Sequence, residues 1–119
     1  MYHNKNKKTL KRTEEERSHL KRDLIAAIVR SGKIKTTTTK AKWFRPHFER
    51  LVTLCKRAGD DVQLQYKRLR PYLNEADSRI MVERIVPKLM DRQGGYTRTF
   101  QYVDGNTFDR KESIIMITE

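Results

Sequence analysis

Apolar residues recur every three or four positions along four stretches of the chain, a spacing that predicts four helices. The first stretch follows Thr13, whose hydroxyl can accept a hydrogen bond from a first-turn N–H, and Gly32 is expected to end it in a left-handed conformation. Its apolar face covers about half the circumference, which indicates a helix covered on more than one side. The second helix is predicted over residues 40–58, with Thr39 as its cap and with Pro46 inside it, where a proline can kink or separate the first turns.

Two shorter helices follow, each marked by a capping residue and a proline. Asp60 or Asp61 can cap the third helix, and Pro71 disfavours its continuation. Asn74 begins the fourth helix, and Pro87 is expected to bend or break its end.

Three short stretches are alternating or rich in β-branched residues, which predicts strands over residues 33–38, 96–103 and 112–118. Two consecutive glycines precede the second strand, and the polar stretch 104–110 is expected to form the turn or loop before the third. Four helices and about three strands predict an α+β fold in which the helices pack on a small sheet.

The charge of the chain is strongly basic and unevenly distributed. The 119 residues include 27 Lys and Arg against 15 Asp and Glu, a formal net charge of +12. Residues 1–58 contain 17 basic and 5 acidic residues, whereas residues 59–119 contain 10 of each, so the net charge lies in the first half. Such an excess of cations favours a polyanionic partner.

Residues 1–12 differ in composition from the rest of the chain. They carry five cations, no acid and few apolar groups, so we expect an extended basic arm that is disordered when free. Residues 13–119 are expected to form a single globular domain, since a chain of this length supports one modest core. The cations of the arm are Lys5, Lys7, Lys8, Lys11 and Arg12.

Catalytic and metal chemistry find little support in the sequence. The lone Cys55 excludes a disulfide within the chain and a multi-cysteine metal site, and its place on the apolar stripe of the second helix favours a core thiol. The three histidines do not have the spacing of a zinc site. No apolar run approaches the about 18 residues of a membrane span. We therefore predict no catalytic residues, no metal site, no membrane partner and no small-molecule substrate.

Two parts of the sequence could contact phosphates. Lysines surround four consecutive threonines at residues 36–39, whose hydroxyls and N–H groups suit phosphate oxygens, although lysines also guard plain strand edges. Gly94-Gly95, flanked by Arg92 and Arg98, lets a partner approach the backbone closely, or else forms only a turn.

Trp43 could either stack on an unpaired base or be buried in the fold.

These residues, taken in order, resemble the bacterial-type L-seventeen family of large-subunit ribosomal proteins. The resemblance extends over nearly the whole chain, and its pieces are specific through their order and spacing. They are Met1-Tyr2-His3, Leu10-Lys11-Arg12-Thr13, Arg17, Ile34-Lys35-Thr36-Thr37, Lys40-Ala41-Lys42, Arg45-Pro46, Glu49-Arg50-Leu51-Val52-Thr53-Leu54, Lys56-Arg57, Pro87, Asp91-Arg92 and Gly94-Gly95-Tyr96-Thr97-Arg98.

The resemblance implies an α+β domain with a basic N-terminal arm, docked on ribosomal RNA of the large subunit beside neighbouring ribosomal proteins, with no catalysis and no cofactor. It implies RNA contact at the positions that match the family. These are His3, Lys11, Arg12, Arg17, Lys35, Thr36, Thr37, Lys40, Lys42, Gly94, Gly95, Tyr96 and Arg98. Lys5, Lys7 and Lys8 are added to this set because of their charge.

Two departures from the family pattern bear on the expected RNA contacts and on the origin of the chain. Three consecutive glutamates at residues 14–16 replace a more neutral or basic helix start, and residues 104–109 replace the turn expected between the last two strands, which weakens the case for RNA contact there. Such divergence suits an unusual bacterium or an organelle. We expect a ribosome of the bacterial cytoplasm, with a mitochondrial or other organellar ribosome as the alternative.

Two other classes of function compete with RNA binding. A DNA-binding regulator could read duplex DNA with its second helix, but the chain has no clear helix-turn-helix spacing. An enzyme acting on phosphorylated substrates would need titratable groups that converge in a pocket. Neither has sequence support comparable to that for a structural ribosomal protein.

Overall fold

The computed structural model describes Leu10, residues 12–102 and residues 111–118. The predicted α+β fold is confirmed, since in this part of the chain four helices pack on a three-stranded antiparallel sheet. The predicted loop at 104–110 and most of the predicted arm lie outside the described residues. In chain order the elements are α1 Glu14–Ser31, β1 Lys33–Thr37, α2 Thr38–Arg57, α3 Val62–Leu69, a composite α4 through Glu75–Ile80, Met81–Ile85 and Val86–Leu89, β2 Thr97–Tyr102 and β3 Glu112–Ile117.

Helix α1 begins and ends where the sequence predicts. Thr13 is extended, and its hydroxyl accepts a hydrogen bond from the Glu16 N–H at 3.2 Å. Gly32 has a φ of 81°, and its N–H donates to the Ile28 carbonyl at 2.7 Å. A glycine takes up this left-handed conformation without the strain that a β-carbon would add, so the helix ends sharply and the chain turns directly into β1.

The start of α2 differs from the sequence prediction. Thr37, and not Thr39, accepts the capping hydrogen bond, from the Lys40 N–H at 3.3 Å. The reason is tertiary: the Thr38 N–H donates to the Lys111 carbonyl at 3.0 Å, and the Thr38 hydroxyl lies 2.9 Å from that of Ser113. These contacts with Lys111 and with Ser113 of the third strand fix the end of β1, so the helix begins at once, and it continues unbroken past its internal proline.

The caps of α3 and α4 follow the sequence, but the interior of α4 does not. Asp61 caps α3 through a hydrogen bond from the Leu64 N–H at 3.1 Å, and Asn74 caps α4. The middle of α4 is π-helical over Met81–Ile85. Pro87 offers no N–H and its ring crowds the preceding turn, so a widened turn lets the helix continue where an ordinary α-helical turn would clash.

The sheet has the order β1-β3-β2, with both pairings antiparallel. Ile34 pairs with Ile115, and Ile115 pairs in turn with Thr99, so these three residues share one face of the sheet. Ile115 is fully buried on that face, against the helices. The alternate positions of all three strands therefore point to the opposite face, away from the core.

The described core is one continuous hydrophobic cluster. Phe44 and Phe48 of α2 are fully buried in it, with ring centroids 6.0 Å apart. Complete burial of such a side chain stabilises the fold by about 1.5–3 kcal/mol, so α2 contributes substantially to the stability of the core. Among the described residues, no helix combines the length and the apolar character that crossing a membrane requires.

Candidate nucleic-acid interface

The first candidate surface is the β1–α2 corner, which we define as residues 35–42. Lys35 and Lys42 are exposed and Lys40 is partly exposed. The first turn of α2 contains no acidic residue. The N-terminus of a 20-residue helix carries a partial positive charge, which adds to that of the lysines, so the corner presents a concentrated positive potential.

Two threonines of the corner have structural roles that the sequence did not assign to them. The Thr37 hydroxyl caps α2. Thr36 lies on the face of the sheet that packs against the helices, where it pairs with the fully buried Ser113. Lys35 is held near the sheet, with its Nζ 3.6 Å from Oε2 of Glu112. The lysines are therefore the cationic groups that the corner exposes, while Thr36 and Thr37 have structural roles.

Arg12 and Arg17 lie together at the entry to α1. Nη1 of Arg17 donates to the Arg12 carbonyl oxygen at 2.5 Å, and the Arg17 N–H donates to the Thr13 carbonyl at 3.0 Å. The arginine side chain thus fastens the chain that enters α1. The remaining predicted arm contacts, His3, Lys5, Lys7, Lys8 and Lys11, lie outside the described residues.

The second candidate surface is the glycine segment, which we define as residues 94–98. Gly94 and Gly95 have φ values of 87° and 63°, and a β-carbon on either would meet no atom of the described residues within 4 Å. Glycine is therefore required here by backbone conformation and not by crowding within the fold. The predicted break before β2 is confirmed, and the exposed backbone of both glycines is open to a partner.

Tyr96 is buried, with 4% of its surface exposed. Its N–H donates to Oε1 of Glu49 at 2.9 Å, and Nζ of Lys56 lies 3.0 Å from its hydroxyl and 4.8 Å from the centre of its ring. The hydrogen bond from Lys56 is the main cause that lowers the pKa of Tyr96. The Tyr96 side chain thus joins β2 to α2, and the structure places it in the interior and not on the surface of the segment.

The end of β3 holds the glycine segment from the other side. The Thr118 N–H donates to the Tyr96 carbonyl and the Thr118 hydroxyl donates to the Gly95 carbonyl, both at 2.9 Å. Lys56 also donates to the Arg92 carbonyl. Arg98 differs from these residues because its side chain is exposed.

Arg45 and Trp43 have mainly structural roles. Nε of Arg45 donates to the Thr97 hydroxyl and Nη2 to the Thr97 carbonyl, both at 3.0 Å, so this arginine holds β2 against α2. Trp43 is half-buried against the core, and its ring centroid lies 5.0 Å from that of His47. The structure therefore favours the burial alternative for Trp43 over an open base-stacking position.

Cys55 and His47, the side chains that could have indicated catalysis, are buried and partly buried, respectively. Burial raises the pKa of the Cys55 thiol to about 11, so the thiol stays protonated and unreactive near neutral pH. Burial, followed by the charges of Lys21 and Arg50, lowers the pKa of His47. Across the described residues, no three His, Cys, Asp or Glu side chains come together in a way that could hold a metal ion.

The chain is similar in sequence to ribosomal proteins. Residues 20–117 match the family model described as Ribosomal protein L17. The chain belongs to the ribosomal protein L17 family, which confirms the resemblance found in its motifs.

Three relatives show how far the similarity extends, and each is called large ribosomal subunit protein bL17. The protein from Novosphingobium aromaticivorans is 36% identical over 99 residues, covering 82% of this chain and 68% of the relative. The protein from Sulfurovum is 36% identical over 98 residues, covering 82% and 83%. The protein from Persephonella marina is 38% identical over 102 residues, covering 85% and 81%.

Proposed function

We propose that this protein is a structural constituent of the large ribosomal subunit that binds folded ribosomal RNA through its basic first half. The relatives support the first part, since their names place them in the large subunit. The distribution of charge supports the second, because residues 1–58 carry the whole net charge. Family membership favours this function over a DNA-binding regulator and over an enzyme that acts on phosphorylated substrates.

The proposal rests on the β1–α2 corner, where lysines lie beside the N-terminus of a long helix. Lys35 precedes the start of α2 and Lys40 and Lys42 follow it, so cations flank the positive end of this helix in the chain. Phosphate groups bind at such helix ends and to such lysines without any sequence requirement. The corner would therefore position the protein on the RNA backbone.

The arm and the glycine segment would extend the contact. Residues 1–12 would neutralise further phosphates and order on binding, while residues 13–119 form the folded domain. In the glycine segment, the backbone of Gly94 and Gly95 and the side chain of Arg98 are the exposed groups that a phosphate could meet. Tyr96 would act by holding this segment in place.

The proposed setting is a ribosome with rRNA and neighbouring large-subunit proteins as partners, and with no small-molecule substrate, cofactor or catalytic step. A bacterial cytoplasmic ribosome remains the expectation, with an organellar ribosome as the alternative. Ribosomes purified from the source cell and from its organelles, probed for this chain, would distinguish the two.

Salt dependence of binding tests the mechanism. If about 6–10 phosphates are contacted, affinity for deproteinised large-subunit rRNA should fall about 10³–10⁵-fold between 50 and 200 mM salt. The double variant Lys40→Ala/Lys42→Ala should reduce the slope of log affinity against log salt by about one per lost contact. Affinity that does not respond to salt would contradict phosphate binding.

A matched control separates position from total charge. Lys67 and Lys88 are exposed lysines of α3 and α4 in the neutral half. The variant Lys67→Ala/Lys88→Ala removes the same charge and should leave the slope nearly unchanged. Equal losses in the two double variants would show that net charge, and not the corner, determines binding.

A further inference from the structure

The outer face of the sheet, which we define as the face opposite Ile115, has an unusual composition. The strand register places Lys33, Met116 and Arg98 in one row across the three strands. The next row contains Lys35, Ile114 and Phe100. Apolar side chains thus occupy the middle of this face, with cations beside them on both edge strands.

Phe100 is the most exposed large apolar side chain among the described residues. Half of its surface, 50%, is accessible, and the two other large apolar side chains that are exposed, Val62 and Met90, lie on other elements. Ile114 and Met116 are partly exposed beside it. Neighbouring strands are about 4.8 Å apart, so the three side chains form one apolar surface that is wide enough for a planar ring.

The charge of this face favours an anionic occupant. Lys33, Lys35 and Arg98 are exposed there, against the single described carboxylate of Glu112, which lies near Lys35. Lys33 and Arg98 occupy the opposite ends of one row, about 10 Å apart. An apolar protein partner would bury these cations without compensation, at considerable cost in free energy. A nucleotide meets both requirements, since its base is planar and its phosphates are anionic.

We propose that the outer face of the sheet is a second RNA-binding surface, on which Phe100 stacks against an unpaired base while Arg98 and Lys33 bind the flanking phosphates. The inference rests on the proposed function, because it assigns a particular element of ribosomal RNA, a single-stranded or bulged nucleotide, to this protein. It differs from the phosphate contacts of the β1–α2 corner because an aromatic ring recognises an exposed base, which a paired helix does not offer.

The test combines affinity with salt dependence, using deproteinised bacterial large-subunit rRNA as the probe. Phe100→Ala should weaken binding about 5- to 150-fold, the range found for single base–aromatic stacks, with the salt slope unchanged because no charge is lost. Arg98→Ala should instead reduce the salt slope by about one. Val62→Ala, which removes an exposed apolar side chain from α3, is the control and should change neither quantity.

Conservative variants keep the test valid if Phe100→Ala disturbs the strand. Phe100→Tyr retains the ring and should bind like the unaltered protein, whereas Phe100→Leu retains apolar bulk and should bind like Phe100→Ala. A single-stranded RNA oligonucleotide containing 2-aminopurine gives a direct signal, since stacking on the ring should quench its fluorescence with the Tyr variant but not with the Leu variant. Equal affinity and equal quenching for the Tyr and Leu variants would overturn base stacking.

The failure of this inference and that of the proposed function give different results. If Phe100 variants bind normally while Lys40→Ala/Lys42→Ala lowers the salt slope, only the outer-face assignment fails. If the unaltered protein shows no salt-dependent affinity for the rRNA, the proposed function fails as well. If Phe100→Ala changes self-association of the free protein but not its affinity for RNA, the outer face binds a second copy and the RNA assignment is wrong.

Discussion

The β1–α2 corner and the glycine segment share an expectation of RNA contact, but they are built in opposite ways. In the corner, long cationic side chains extend outwards from a junction that the threonines hold in place. In the glycine segment, the largest side chain points inwards, and Glu49, Lys56 and Thr118 hold it and its backbone. A sequence motif can therefore mark a residue that touches a partner or one that positions its neighbours, and only the contacts distinguish the two.

Replacing Tyr96 should give the largest loss of stability. Tyr96→Ala removes a buried aromatic ring and should lower the free energy of unfolding by about 3–5 kcal/mol, measured by urea denaturation. Tyr96→Phe keeps the ring and loses the hydroxyl, which accepts from Lys56 and donates to the Arg92 carbonyl, so about 1 kcal/mol is expected. If Tyr96→Phe left stability unchanged but weakened rRNA binding, the tyrosine would belong with the contact residues and the contrast would be lost.

Substitution of a glycine in the segment should have a smaller effect. Gly95→Ala places a β-carbon at a φ of 63°, where the strain is about 1–2 kcal/mol, although the surrounding space is open. Thermal unfolding measures this loss. Ala58→Gly offers a contrast at a residue with ordinary helical φ, where the change acts through chain flexibility alone. A Gly95→Ala protein of full stability but reduced RNA affinity would indicate that the partner, and not the backbone conformation, requires glycine.

The capping threonine of the corner should matter for stability, while its neighbour should not. Thr37→Val removes the hydroxyl that accepts from the Lys40 N–H and should cost about 1 kcal/mol. Thr39→Val is the matched control, because Thr39 is exposed inside the first turn and has no capping role. Chemical denaturation of both variants checks the assignment. A larger loss for Thr39→Val would restore the cap expected from sequence.

The smallest effect concerns protonation within the basic half. Because burial and the nearby cations lower the pKa of His47 below 6.5, the unfolded chain takes up this proton first as the pH falls. Stability should therefore decrease as the pH drops from about 6.5 through the folded pKa, and His47→Gln should remove this component. Unfolding free energies between pH 5.5 and 7 measure the difference. An unchanged pH dependence in the variant would show that His47 keeps its ordinary pKa.

Local signals were sufficient wherever the structure depends on adjacent residues. The caps at Thr13 and Asn74 and the left-handed end at Gly32 follow from a side chain and the backbone within a few positions. Four threonines in a row offered several equivalent caps for α2, and contacts with Lys111 and Ser113 determined which one is used. No local pattern contains that information.

The candidate surfaces show the same division. The excess of lysine near residues 35–42 could be counted in the sequence, and in the structure Lys35 and Lys42 are exposed and Lys40 is partly exposed. The burial of Tyr96 depends on Glu49 and Lys56, which lie on a different element. The alternation of β2 places Arg98 and Phe100 on the same side, but only pairing with β3 reveals which side is open. Contacts and strand pairing between distant residues are thus what could not be predicted from the sequence alone.

The central position of β3 affects the order in which the elements can fold during synthesis. Among the residues that the structure describes, β1 and β2 each pair with β3 alone, so neither of these pairings can form before residues 112–117 are synthesised. The helices can collapse early on local contacts, whereas the sheet cannot form until the last strand lies between the two edge segments. A chain interrupted before that strand would lose the whole sheet and not merely one edge of it.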